Sequence, residues 1–151
     1  MGDGRGMMRL MYSGALLVHS WLRWAVVIAG VLAVLSSGRQ SPARGAKAGM
    51  WFTILLDLQF LVGLALYLFI SPNTTAAMHQ FGAAMHVAST RFFLVEHPFG
   101  MIIAIALAHV GKIRGDRGAP HAKTFLALSL LVLLASQPWP GLPYGRPLVR
   151  F

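Results

Sequence analysis

Four apolar runs separated by short polar segments constrain the fold of this chain more than any other feature. A helix needs about 20 predominantly apolar residues to cross the hydrocarbon core of a bilayer. The runs cover residues 12–35, 49–70, 92–112 and 122–137. Only 11% of the residues are charged, whereas a soluble domain carries about 25%. We therefore predict an all-α fold, an integral membrane four-helix bundle that forms a single transmembrane domain over residues 1–151.

The basic residues lie mostly in the segments between the runs. Seven of the 13 lysines and arginines follow the first and third runs, and five lie on the opposite side. The positive-inside rule then places both termini outside. Basic residues in such segments act as topology signals and contact lipid headgroups, so we expect the lipid bilayer, and no nucleic acid, as a partner. The absence of cysteine excludes disulfides and covalent c-type haem attachment.

The polar segment between the second and third runs contains a short repeat. Met78-His79 recurs seven residues later as Met85-His86, and this spacing puts both pairs on one face of a helix. We expect a short amphipathic helix that lies on the membrane surface. Thioether and imidazole groups suit Cu(I), so these four side chains are a candidate copper site on the periplasmic side. The alternative is a surface helix with incidental Met and His.

Two histidines lie inside the runs at similar depths. If runs one and three start near the outer face, a rise of 1.5 Å per residue puts His19 about 10 Å and His97 about 8 Å below it. Two imidazoles at one depth on two helices of a bundle can serve as the axial ligands of haem b. The alternative is that each histidine only forms hydrogen bonds within the bundle or sits at headgroup level.

The charged neighbours of His97 can make further contacts with such a haem. Glu96 points about 100° away from His97 on a helix, so it can hydrogen-bond the other ligand imidazole. Arg91 lies near the outer end of the run, where it can meet the haem propionates. The alternative is an Arg91–Glu96 pair at the surface.

Arg23 and Asp57 place two charges inside the first and second runs. Their distances from opposite membrane faces, about 16 Å and 12 Å, put them at one level in a hydrocarbon core of about 30 Å. Buried charges must pair or become neutral, so we predict a structural Arg23–Asp57 ion pair. A proton-transfer role for Asp57 with His109 is the alternative. Gln59 is expected to hydrogen-bond between helices.

Three segments of the sequence resemble a known group of proteins. They are VHSWLRW at residues 18–24, DLQFLVGL at 57–64 and RFFLVEHP at 91–98, with QPWP at 137–140 as a further match. Together they resemble small bacterial four-span membrane proteins labelled cytochrome b-like. The resemblance implies a bundle in the bacterial inner (cytoplasmic) membrane, a b-type haem and a role beside a respiratory or photosynthetic chain. His19 and His97 match histidines of that group, which carries histidine in place of Asp57 and often a second one in place of Trp21.

Three functions are consistent with these features. The first is an electron carrier rather than an enzyme, with haem b between His19 and His97 near the outer face. It would exchange electrons with quinone or with subunits of a larger membrane complex. The second, favoured by the departures at Asp57 and Trp21, is a haem-free accessory subunit of such a complex. The third is a copper-handling membrane protein.

Overall fold

The computed structural model describes residues 3–37 and 42–150, and this part of the chain is helical with no strand. The α-helices are α1 (Asp3–Ser36), α2 (Pro42–Ala65), α3 (Pro72–His79), α4 (Phe81–Met85), α5 (Ala88–Arg91), α6 (His97–Asp116) and α7 (Ala122–Ala135). Two π-helical segments extend this pattern. Leu66–Ile70 continues α2, and Phe92–Glu96 joins α5 to α6.

Three of the helical stretches are long and apolar enough to cross a membrane. They are Gly6–Ser36, Gly45–Ile70 and Ala88–Asp116. Helix α7 has 14 residues, and its length of about 21 Å is shorter than a hydrocarbon core of about 30 Å. The structure thus confirms the helical fold and indicates a membrane protein with three apolar spans. A fourth span stays a prediction.

The first two helices extend beyond their predicted spans. α1 begins at Asp3 and α2 at Pro42, whereas the apolar runs begin at residues 12 and 49. Proline suits the first position of a helix, because the N–H that it lacks would have no partner within the helix there. The apolar runs therefore locate the spans, and the helices continue into the polar segments beside them.

Helices α1, α2, α6 and α7 pack around one apolar core. Val26, Phe52 and Leu133 are among its fully buried members. α6 approaches α7 closely because small residues recur on its buried face, a pattern typical of membrane helix packing. The buried hydroxyl of Ser129 on α7 donates a hydrogen bond of 2.7 Å to the carbonyl oxygen of Ala104 on α6. This close packing brings the end of α7 next to the start of α6.

The chain around Pro98 departs from a regular α-helix. Pro98 has no backbone N–H to bond the carbonyl four residues earlier, which belongs to Leu94. The helix adopts π geometry over Phe92–Glu96, and the Tyr67 hydroxyl donates a hydrogen bond of 2.9 Å to the Leu94 carbonyl. π-Helical segments of this kind are frequent at functional sites. The prediction that this span starts before Pro98 is confirmed, because its helical course begins at Ala88.

The segment between the second and third spans forms three short helices instead of the single amphipathic helix expected. α3 ends at His79, and Gln80 leaves the helical conformation with φ −126° and ψ 46° before α4 begins. Val87 is extended before α5. A surface helix of this length is marginal by itself, so contacts with the helices below it decide its course.

The packed helices have two chemically different ends. At one, the basic end, Lys112 and Lys123 line a cavity of about 440 Å³ between the α1–α2 and α6–α7 connections. At the other, the histidine end, lie His19, His97 and the short helices α3–α5. The first connection lies partly outside the described residues, and the assignment of both connections to one side of the membrane stays a prediction.

The C-terminal segment, residues 137–150, folds back across the histidine end. Tyr144 stacks on Phe92 with ring centroids 3.8 Å apart and planes inclined by 8°. The indole N–H of Trp24 donates a hydrogen bond of 3.0 Å to the Leu148 carbonyl. These contacts tie an irregular tail to α1 and to the π-helical segment before α6.

Candidate functional site

A large cavity lies at the histidine end. Its volume of about 920 Å³ falls within the range of roughly 300–1,000 Å³ that is usual for small-molecule and cofactor sites. Helices α1 to α6, both π-helical segments and the C-terminal segment contribute to its walls. The lining includes His19, Gln59 and His97. Both predicted ligand histidines therefore border one cavity.

The imidazoles of His19 and His97 are neighbours in the structure. Their ring centroids are 6.3 Å apart and their planes cross at 79°. A metal ion bound to one nitrogen of each ring at about 2 Å holds the centroids roughly 6 Å apart. The observed spacing therefore fits two axial ligands of one metal. It also fits an edge contact between two rings.

His97 is oriented by the end of α7. Its Nδ1 lies 2.7 Å from the Ser136 carbonyl oxygen, and since a carbonyl can only accept, Nδ1 carries the proton and donates. The neutral ring then presents Nε2 as an unprotonated nitrogen, the tautomer that ligand histidines commonly use. Gly100, one turn further along α6, makes this contact possible, because a Cβ there would collide with the Ser136 side chain.

His19 rests on α2 at a position without a side chain. A Cβ on Gly63 would lie 3.0 Å from Cε1 of the His19 ring. The Gln59 amide nitrogen donates a hydrogen bond of 3.0 Å to the His19 carbonyl and lies 3.3 Å from Nε2 of the same residue. Gln59 thus makes the predicted contact between helices, and Gly63 leaves room for the imidazole beside it.

Three buried side-chain atoms lack a hydrogen-bond partner in the described part of the chain. They are His19 Nδ1, Arg23 Nε and Gln59 Oε1, and all three residues line the large cavity. Buried polar atoms are nearly always hydrogen-bonded, because an unmet donor or acceptor costs about 1–3 kcal/mol. Three such atoms at one cavity require polar partners, and ordered water or a polar ligand supplies them.

Arg23 does not pair with Asp57, which corrects the prediction. Its guanidinium donates to the Leu148 carbonyl of the C-terminal segment and lies 5.2 Å from the centroid of the Trp24 ring. The rise along a helix fixes the level of a residue in the membrane, whereas packing fixes the rotation of the helix about its axis. α1 is rotated so that Arg23 lines the large cavity.

Asp57 contacts His109 instead. Both carboxylate oxygens lie 3.1 Å from His109 Nε2, so this nitrogen carries the proton of the contact. The Asp57 and His109 side chains are 41% and 42% exposed, and both lie within apolar spans. Ionisable groups in such spans are costly and are functional hypotheses by default. The contact is the one that the proton-transfer alternative requires, and that role stays a prediction.

Arg91 and Glu96 form an ion pair at the surface. Arg91 Nε lies 2.8 Å from Glu96 Oε1, and nearly half of each side chain is exposed. Neither residue lines the large cavity. The structure therefore has the surface arrangement for this pair, and Glu96 bonds Arg91 instead of the His19 imidazole. The contact of Arg91 with a haem propionate stays a prediction.

The two Met-His pairs lie on separate short helices. Met78 and His79 end α3, whereas Met85 ends α4 and His86 follows it. Both histidines are exposed. Because the helix is interrupted at Gln80, the seven-residue spacing no longer corresponds to two turns of one helix. The single face on which the copper prediction depends is therefore missing.

Two C-terminal arginines at the cavity were not among the predicted site residues. Arg146 and Arg150 line the same cavity as Arg23, and the Arg146 guanidinium lies 4.9 Å from the Phe93 ring centroid. Nothing in the periodicity of an irregular, proline-rich tail shows where it folds. The available signal in the sequence was charge, because arginines outnumber acidic residues in the segments that lie at the histidine end.

Comparisons with known proteins identify no family for this chain. No family model, no curated protein and no solved structure matches the chain. The resemblance to cytochrome b-like proteins is carried by the segments around His19, Asp57 and His97 alone, and it stays a hypothesis.

Proposed function

We propose that this protein is a membrane-integral electron carrier, with one haem b bound between His19 and His97. One observation carries the proposal. The two imidazoles border a single large cavity, with ring centroids 6.3 Å apart. Haem held by two imidazoles supplies one-electron redox chemistry, and the surrounding protein sets its potential.

The residues at the cavity fit this group in three respects. His97 is held by the Ser136 carbonyl in the tautomer that leaves Nε2 available. His19 has one buried nitrogen without a partner in the described part of the chain, and a long contact of 3.3 Å from Gln59 at the other. Gly63 keeps α2 from crowding the His19 ring. The chain thereby supplies two imidazoles, one from α1 and one from α6, that can ligate from opposite sides of the cavity.

The architecture that accompanies this function is a four-span bundle in the bacterial inner (cytoplasmic) membrane. α7 packs along α6 and α1 and is apolar over its length, which supports its assignment as the fourth span. The basic end then faces the cytoplasm and both termini lie outside. The haem lies near the outer face, where quinone or a subunit of a respiratory or photosynthetic complex is the electron partner.

Absorption spectroscopy of the purified protein tests the proposal. Protein prepared in detergent and supplied with haem should give a Soret band and, after dithionite reduction, a sharp α-band. His19→Ala and His97→Ala should each abolish the low-spin spectrum, because each removes one axial ligand. His109→Ala is the matched control, since it removes a span histidine outside the cavity. A protein that stays colourless with haem, or a spectrum that depends on His109 alone, rules the proposal out.

A second candidate is a haem-free accessory subunit of a larger membrane complex. The Asp57–His109 contact favours it, because more than 40% of both side chains is exposed on the surface of two apolar spans. Such groups are rarely left facing lipid, and a neighbouring subunit that covers them removes that cost.

Copurification distinguishes this candidate from the first. Extraction of the tagged protein in a mild detergent should recover a large complex, and Asp57→Leu/His109→Leu should release the protein from it. A colourless protein recovered within the complex supports the accessory role. A free, haem-containing monomer contradicts it.

A further inference from the structure

Positive charge at the large cavity is unbalanced. Arg23, Arg146 and Arg150 all line it, and no described carboxylate does. The three acidic side chains that the structure describes are engaged elsewhere, by His109, Arg91 and Lys112. Arg23 is buried, Arg150 half-buried and Arg146 exposed, and like charges at one wall repel one another unless a counter-charge is present. The cavity wall is therefore built for an anion.

The C-terminal segment holds two of these arginines at the cavity. The Arg146 backbone N–H donates to the Pro138 carbonyl at 3.0 Å, and its guanidinium lies over the Phe93 ring. The Trp21 indole donates to the Arg150 carbonyl at 3.0 Å. Both arginines are thus held through their backbones or an aromatic ring. Arg146 Nη1 donates one hydrogen bond of 3.3 Å to the Gly145 carbonyl, which leaves its other guanidinium N–H groups for a ligand.

Arg23 supplies the buried part of the same wall. Its side chain is only 9% exposed, and Nε has no acceptor among the described residues. Arg150 lines the same cavity, so the two positive charges share one wall. A planar guanidinium matches the two oxygens of a carboxylate or phosphate, which makes arginine the usual residue for binding these groups.

We propose that Arg23, Arg146 and Arg150 form an anion site that binds the carboxylate groups of a tetrapyrrole in the large cavity. The site was expected at Arg91, but Arg91 is paired with Glu96 away from the cavity. The proposal rests on the proposed function for the identity of the ligand. It gives the C-terminal segment the role of holding the acidic edge of that ligand.

Metal-free protoporphyrin IX tests the anion site without axial ligation. Both protoporphyrin IX and its dimethyl ester, which lacks the negative charges, are titrated into the full-length protein in nonionic detergent and followed by fluorescence. The diacid should bind at least about tenfold more tightly than the ester. The substitution Arg146→Gln/Arg150→Gln should weaken binding of the diacid about tenfold and leave the ester unchanged. Charge-assisted hydrogen bonds are of this size.

Arg117→Gln is the matched control, because it removes one exposed arginine from the basic end. It should change neither affinity. Helical content and the thermal unfolding temperature of each variant establish that it is folded. Equal affinities for diacid and ester in the native chain overturn the proposal, as does a double variant that weakens both ligands alike.

The two proposals fail in different ways. If haem gives a bis-histidine spectrum and its dimethyl ester binds equally well, the anion site is wrong and the electron carrier stands. If protoporphyrin IX binds through the arginines and haem gives no low-spin spectrum, the electron carrier is wrong and the anion site stands. Neither proposal survives if no porphyrin binds.

An anionic lipid could use the same oxyanion chemistry. Nanodiscs containing phosphatidylglycerol test this source by comparison with phosphatidylcholine nanodiscs. If protoporphyrin IX binds with the same affinity in both kinds of nanodisc, the tetrapyrrole is supported as the ligand of the anion site. Displacement of the diacid by phosphatidylglycerol, lost in Arg146→Gln/Arg150→Gln, assigns the site to a lipid phosphate and overturns the proposal.

Discussion

The imidazole of His97 donates a hydrogen bond of 2.7 Å from Nδ1 to the carbonyl oxygen of Ser136. This contact joins the start of α6 to the end of α7 and fixes both the ring orientation and the tautomer of His97. A histidine held in this way is prepared to bind a metal through Nε2, because its other nitrogen is already satisfied.

Gly100→Ala should weaken the His97–Ser136 contact. The added Cβ would lie 2.8 Å from the Ser136 Cβ and nearer still to its hydroxyl. The end of α7 must then move away from α6, so we expect a loss of about 1–3 kcal/mol in the free energy of unfolding, typical of overpacking. Haem affinity should fall as well. Urea unfolding in detergent and haem titration measure the two effects.

Gly14→Ala is the control for that substitution. Gly14 also lies in an apolar span, but a Cβ there has no neighbour within 4 Å. It should leave haem affinity unchanged. Equal effects of the two substitutions would show that the α6–α7 contact does not position His97.

Tyr67→Phe should destabilise the native chain far more than it destabilises a chain that already carries Pro98→Ala. In the native chain the Tyr67 hydroxyl bonds the Leu94 carbonyl, whose usual α-helical donor, the N–H of residue 98, is missing in proline. Loss of the hydroxyl removes this hydrogen bond, at a cost of about 0.5–1.5 kcal/mol. An alanine at position 98 supplies the N–H itself. A double-mutant cycle on the free energy of unfolding should therefore show strong coupling, whereas additive effects contradict this account of the π-helical segment.

Asp57 should couple energetically to His109 and not to Arg23. The carboxylate contacts His109 Nε2 at 3.1 Å, while Arg23 binds the Leu148 carbonyl. Double-mutant cycles on the free energy of unfolding combine Asp57→Asn with His109→Ala or with Arg23→Gln. The coupling energy should be about 0.5–1 kcal/mol for Asp57 and His109, as for other polar contacts between membrane helices, and about zero for Asp57 and Arg23. The opposite ranking would restore the ion pair predicted from depth.

Arg91→Gln and Glu96→Gln should have little effect on stability and none on haem binding. The pair is nearly half exposed on both sides and lies outside the cavity. Exposed ion pairs contribute about 0–1 kcal/mol and are screened by salt. Unfolding at low and high ionic strength, together with haem titration, checks this. A lower haem affinity in Arg91→Gln would return Arg91 to the role of propionate ligand.

Depth along each span could be predicted from the sequence. The apolar runs located three helices that are able to cross a membrane, and a fixed rise per residue put His19 and His97 at one level, where their rings lie 6.3 Å apart. The rise of a helix is set by its backbone hydrogen bonds, so it hardly depends on the rest of the protein. Pro98 likewise marked the irregular part of its span.

Rotation about each helix axis was decided only by the tertiary structure. Arg23 and Asp57 share a level, yet packing turns Arg23 towards the C-terminal segment and Asp57 towards His109. The path of residues 137–150 depends on indole and aromatic contacts far apart in sequence, which leave no periodic trace. The sequence by itself thus located three apolar helices and the position of each polar residue along them. Side-chain packing decided which of those residues meet, because close approach depends on all the helices at once.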